Sequence, residues 1–295
     1  QDEGAADVPV ARTDAAHDGN FDVARLDRHA DGILDEQQSQ DGEKDHEHRA
    51  AAVQRTGMAV DWINAQAAGY GAAPQLICDR SEDGSDAALT RSYLLQSAIR
   101  GGENSEESTA FLEEMDALCE SLAVDSRLAV YGARQIAFLF YLPISGTSFT
   151  MAHYADDGAS FYYEYSCLYK TDAYTDGEPE SPATFAHEIL HLFGAPDFYE
   201  GSSDPYVDAT LTAYVEETYP DDIMLSTYEA DGTSRFDAIS KTISPLTAYC
   251  LGLAESCPEL EQFPALGKVE PGVFRHGTAD SEEPTTDAWP GAVAV

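Results

Sequence analysis

The chain has 295 residues, with 54 acidic against 16 basic side chains and a formal net charge of −38 at pH 7. That balance excludes nucleic acid as a default partner, because a phosphate backbone is bound through Lys and Arg that displace its counterions, and it disfavours an anionic membrane surface for the same reason. Hydrophobic residues make up 43%, close to the globular average, so the chain can bury a core, and its length fits one domain flanked by tails.

Residues 1–45 are rich in Asp, Ala, Gly and Gln and lack a sustained apolar period, which reads as a disordered acidic leader or pro-segment. His46 and His48, at its end, read as exposed polar surface. A folded domain is expected over 46–270. Val53, Val60, Ile63 and Ala67 share one helical face, so the spacing predicts a helix over 47–68, stopped at Gly69 and Gly71. The run 75–78 reads as a short strand. Phe111, Met115, Leu118 and Leu122 mark a second amphipathic helix. Residues 135–144 are apolar at nearly every position and predict a strand in the middle of a sheet, covered on both faces. The same run is far shorter than the ~20 residues of a membrane-spanning helix, so no span is expected. The segment 148–154 comes next and then, after a turn at Gly158, the run 159–169. In that run Phe161, Tyr163, Tyr165, Cys167 and Tyr169 alternate with Tyr162, Glu164, Ser166 and Leu168 on two strand faces. Helices interleaved with strands indicate an α+β fold class with α/β-like layers. Residues 271–295 revert to Gly, Thr, Asp, Glu and Pro and read as a flexible acidic tail.

Five cysteines, Cys78, Cys119, Cys167, Cys250 and Cys257, are too few and too scattered for a disulfide scaffold, and no CxxC pair suggests a structural zinc. Cys250 and Cys257 are close enough in sequence to pair; the simpler expectation is buried free thiols.

The chemistry concentrates in one segment. Ser181 is a good N-cap, and Pro182 at the first helical position gives up only an N–H that has no helical partner. His187-Glu188-Ile189-Leu190-His191 follows. Residues four apart on a helix lie one above the other, so the two imidazoles can grip one metal ion, and Glu188 can reach a water on it. Zinc lowers the pKa of bound water toward ~7, and a nearby carboxylate can take the proton as the water attacks a polarised carbonyl. A catalytic zinc needs a third protein ligand and an open position. Gly194 can take the left-handed conformation that turns the chain back, and Asp197 then supplies a carboxylate, giving His-Glu-x-x-His-x-x-Gly-x-x-Asp.

This motif resembles the active-site helix of the metzincin clan of zinc metallopeptidases, in the variant where Asp replaces the usual third His, as in snapalysin-type enzymes. Residues 221–228, with Ala248-Tyr249 and Gly252-Leu253, also resemble zincin-like proteins of host-associated bacteria. The resemblance implies a zincin-type domain whose mixed, twisted sheet has an antiparallel edge strand packed on the active-site helix. One catalytic Zn2+ would sit on His187, His191 and Asp197, with Glu188 as general base and later proton donor. Met224 would form the Met-turn of the clan. Some members carry a Tyr two residues after that Met; here Ser226 holds the position, and Tyr228 is the candidate for the oxyanion. The run 159–169 stands where the substrate-binding edge strand is expected, which puts Tyr163 and Tyr165 beside an extended peptide.

The implied activity is that of a zinc-dependent endopeptidase acting on a peptide or protein, as a monomer. The absent initiator Met, the acidity and the resemblance give an expected secreted or cell-envelope location. Three other readings remain open: a gluzincin-like peptidase with Glu216 or Glu217 as third ligand; a binding or surface protein on the same scaffold, with structural zinc or vestigial activity; and hydrolysis of a non-peptide ester or amide. A side chain from 1–45 could also occupy the zinc until it is cleaved away. His153 and His276 receive no role.

Overall fold

The computed structural model describes residues 35–72, 76–78, 93–99, 106–122, 124–132, 136–152, 161–173, 177–202, 204 and 206–268, with side chains from 47 in the first helix and 108 in the second. Most of the expected leader, Gly158, His153 and the expected tail from Pro271 lie outside them.

Helix α1 spans Asp35–Gly69 and so begins inside the segment expected to be a leader. Its buried stripe is Ala52, Thr56, Ala59, Val60, Ile63 and Ala67, the 3.6-residue period that the sequence carries. The run at 76–78 is not a strand. Both backbone groups of Leu76 bond the Asn64 side chain of α1, N–H to Oδ1 at 3.2 Å and carbonyl to Nδ2 at 3.3 Å, so no neighbouring strand is needed. Helix α2, Glu106–Glu120, buries Phe111, Met115 and Leu118 as expected. A short helix α3, Val124–Tyr131, follows.

Among the described residues, three strands form one mixed sheet in the order β1-β3-β2. Strand β1 is Phe138–Gly146, β2 is Phe149–Met151 and β3 is Tyr165–Asp172. β3 runs parallel to β1 and antiparallel to β2. The expected two-faced burial is present in the first half of β1, where Leu139 and Tyr141 pack on one core and Phe138 and Phe140 on the other, whereas Pro143 and Ile144 are exposed. Its expected place in the middle is corrected, since β3 is central in this sheet. Apolar continuity reports helices on both faces and carries no information about lateral neighbours.

β3 shows the predicted alternation. Tyr165 and Cys167 face the core under α2, where Phe111 meets the Tyr165 ring edge-on at 6.3 Å. Ser166 and Leu168 face the opposite way, toward helix α4, Pro182–His191. The antiparallel edge is therefore β2 rather than the run ending at Tyr169. Three residues are too few for a period of two to announce a strand.

Helix α5 covers Ala209–Thr218, and α6 covers Pro245–Cys250. With α1 and α4 they enclose the larger core, which contains Met224, Ile223, Leu211 and Leu246. All five cysteines are free thiols, so Cys250 and Cys257 are not bridged. Among the described residues no helix is long and apolar enough to cross a membrane.

Candidate metal centre

α4 begins as its sequence dictates: the Ser181 hydroxyl accepts the Thr184 N–H at 3.1 Å, with Pro182 at the first turn. Its inward face carries Phe185, Ala186, Ile189 and Leu190, all essentially fully buried, which holds the helix in register against α1. The helix closes through Gly194 at φ 86°. Gly194 N–H donates to His191 O at 2.9 Å and Ala195 N–H to Leu190 O at 3.2 Å, a Schellman closure.

That closure brings the motif together. His187 Nε2 and His191 Nε2 lie 3.1 Å apart, and Asp197 Oδ1 stands 3.1 Å and 3.3 Å from them. The three ligand atoms could hold a metal ion, all within 4.8 Å of one another. Each imidazole is oriented through its other nitrogen. His187 Nδ1 bonds Ile223 O at 3.0 Å, and His191 Nδ1 bonds Ala195 O at 2.7 Å. A carbonyl oxygen only accepts, so both Nδ1 atoms carry protons, and in the neutral rings both Nε2 lone pairs point at one another and at a carboxylate. Asp197 Oδ1 is buried and receives no hydrogen bond. With the rings neutral, three electron-rich atoms converge, an arrangement that could hold a metal ion.

Without a metal, the same carboxylate draws protons onto the rings. Burial pulls the His191 ring down, but the Asp197 carboxylate outweighs it and pushes the ring up to about 10. His187 moves the same way. Burial works against ionisation of Asp197, yet the imidazoles hold that carboxyl far below its ordinary range. Glu188 is buried beside the triangle; burial raises its carboxyl against the pull of both rings and of a hydroxyl on β2.

Asp197 is braced on every side. Its N–H donates to Asp204 Oδ2 at 2.8 Å, and Tyr199 Oη donates to its Oδ2 at 2.7 Å. The next amide, of Phe198, donates to Met224 O at 2.9 Å. Met224 is buried, and its own N–H donates to Asp222 Oδ1 at 2.7 Å. The other oxygen of Asp222 accepts Ser244 N–H at 3.0 Å and Thr247 Oγ1–H at 2.6 Å, tying the turn to the start of α6. The turn therefore supplies a carbonyl to His187 and another to the Asp197 loop.

Other expected site residues lie elsewhere. Glu216 and Glu217 are exposed on α5 and do not join the cluster. Tyr228 Oη donates to Asp172, and burial followed by that bond pushes its pKa up. Its hydroxyl is thus committed to a carboxylate pair in which burial and Asp172 push Glu180 up to about 7. Tyr163 and Tyr165 are corrected as edge residues. Both are buried in the core under α2, and the Tyr163 N–H is taken by Asp116 of that helix at 2.9 Å, so it offers nothing to a peptide. Tyr199, Asp204, Asp222 and Thr150 of β2 went unread in the sequence. Only Asp222 carried a local signal, an Asx turn two residues before Met224. Comparison with protein-family models, with curated proteins and with solved structures finds no match.

Proposed function

We propose that this chain is a zinc-dependent endopeptidase, with zinc on His187, His191 and Asp197 and Glu188 as general base. The observation that carries the reading is the convergence of two Nε2 lone pairs and an unsatisfied carboxylate oxygen on one point, each ring fixed by a backbone carbonyl. Two imidazoles and one carboxylate are a ligand set of catalytic zinc, which leaves a position open. When bound there, zinc acts as a Lewis acid, acidifying water and polarising a carbonyl. The chain's own residues do the rest. Glu188, next to His187 and buried, takes a proton from the attacking water and returns it to the leaving amine. Among the described strands β2 is the antiparallel edge and contacts α4, which suits an extended peptide added beside it.

The test is zinc per chain by elemental analysis, with hydrolysis of an unfolded protein, on wild type, His191→Ala and Glu188→Ala. One zinc is expected in wild type and in Glu188→Ala, and none in His191→Ala. Hydrolysis should fall about 10²- to 10⁴-fold in Glu188→Ala, the usual contribution of a positioned acid–base group. Full activity in that variant, or no zinc in folded wild type, would overturn the reading. Zinc without binding of a hydroxamate would make the site structural, as in the binding-protein alternative.

A further inference from the structure

We propose that Thr150 is the positioning residue of Glu188: its hydroxyl holds one carboxylate oxygen so that the other faces the ligand triangle. The inference rests on the reading of Glu188 as the general base. Thr150 Oγ1 lies 2.8 Å from Glu188 Oε2, 2.9 Å from Glu188 O and 2.7 Å from Ser166 Oγ. One hydroxyl has one proton, so it donates to a single one of these. The carboxylate is the strongest acceptor of the three, and Thr150 therefore donates to Oε2. Ser166 has its own proton for Thr150 Oγ1 or, at 3.4 Å, for Glu188 O. Each proton then has an acceptor, and the order is Ser166, Thr150, Glu188.

The sheet supplies the rigidity. Thr150 and Ser166 are direct partners in the antiparallel ladder of β2 and β3, and cross-strand hydroxyl pairs of this kind reinforce each other. Glu188 itself stands on α4, whose register is set by its buried face and its Ser181 cap. Its carboxylate is thus held from a second element instead of turning about its own side-chain bonds. With Oε2 engaged, Oε1 is the oxygen left to take a proton. A base held in this way enters the reaction already aligned, and a misplacement of about 1 Å costs on the order of 10²-fold in rate.

The experiment compares Thr150→Val, which keeps the shape and removes the hydroxyl, with Thr150→Ser, which keeps the hydroxyl, in the full zinc-loaded chain. Thr150→Val is expected to lower kcat about 10- to 100-fold with KM and zinc content unchanged, and Thr150→Ser to recover most of the loss. Wild-type kcat in Thr150→Val, a loss confined to KM, or no recovery in Thr150→Ser would overturn the assignment. A second readout needs no activity. In the metal-free chain, the drop in melting midpoint caused by Thr150→Val should shrink when Glu188→Ala is also present, because the partner is gone. Equal drops in both backgrounds overturn the link between the two side chains. Should wild type hydrolyse no peptide at all, the function is wrong, while this melting comparison still decides whether Thr150 holds Glu188.

Discussion

Asp197 divides its two oxygens between two tasks. Oδ1 faces the imidazole pair and accepts no hydrogen bond, while Oδ2 takes the Tyr199 hydroxyl. That hydroxyl fixes the rotation of the carboxylate, and outer bonds of this type are worth about 10- to 100-fold in metal affinity. On the proposed zinc reading, Tyr199→Phe should therefore weaken zinc binding by about that factor, read by competition with a chelator of known affinity. Unchanged affinity would mean that Asp204, through the Asp197 amide, braces the loop unaided. His187, Glu188, His191 and Asp197 were legible in the sequence because they share a helix and its exit, where spacing translates directly into position. Tyr199 and Asp204 were not, although they lie within a few residues of Asp197. A loop has no period, so a tyrosine two residues from Asp197 reads the same whether it braces that carboxylate or faces solvent.

At the scale of elements, α4 was the most legible part of the chain and the sheet the least. The helix has a Ser-Pro start, a buried stripe and a Gly exit, each with a local cause. The sheet depends on which strands lie side by side, and the sequence of a strand records only what covers its faces. Thus the run expected to be central carries β1, an edge among the described strands, while the segment after it carries the short β2 that reaches Glu188. Gly194 is where this local legibility can be tested. A side chain at φ 86° is strained, by about 1–2 kcal/mol, and the residue after it supplies both the helix-closing amide and the carbonyl that orients His191. Gly194→Ala should lower the melting midpoint and zinc occupancy together. Gly177→Ala, at φ 83° with open space around it, should carry similar strain and leave zinc occupancy intact. If both variants keep full zinc, the closure does not position His191.

Over the whole molecule the dominant quantity is charge. A net −38 makes the compact state repel itself, and added salt screens that repulsion over a Debye length that falls from about 30 Å at 0.01 M to about 3 Å at 1 M. The melting midpoint should rise by several degrees from 10 mM to 500 mM sodium chloride, roughly the shift expected when about 1–2 kcal/mol is added to a domain of this size. A flat profile would mean that the acidic side chains lie too far apart to act on one another.

The Met224 turn also fixes an order of events. Ile223, which orients His187, donates its N–H to Thr242 O at 3.0 Å, and the neighbouring Asp222 is held by Ser244 and Thr247; all three partners leave the ribosome later. The same stretch is clamped to the end of α1, where Tyr70 Oη donates to Ile243 O at 2.7 Å and the Gln66 side chain accepts the Ile243 N–H at 3.3 Å. A nascent chain that has just emerged past Asp197 already owns all three residues of the cluster but lacks the turn that aims the first of them. At ~5–20 residues per second the interval lasts seconds, and during it the growing polypeptide carries the motif without the centre.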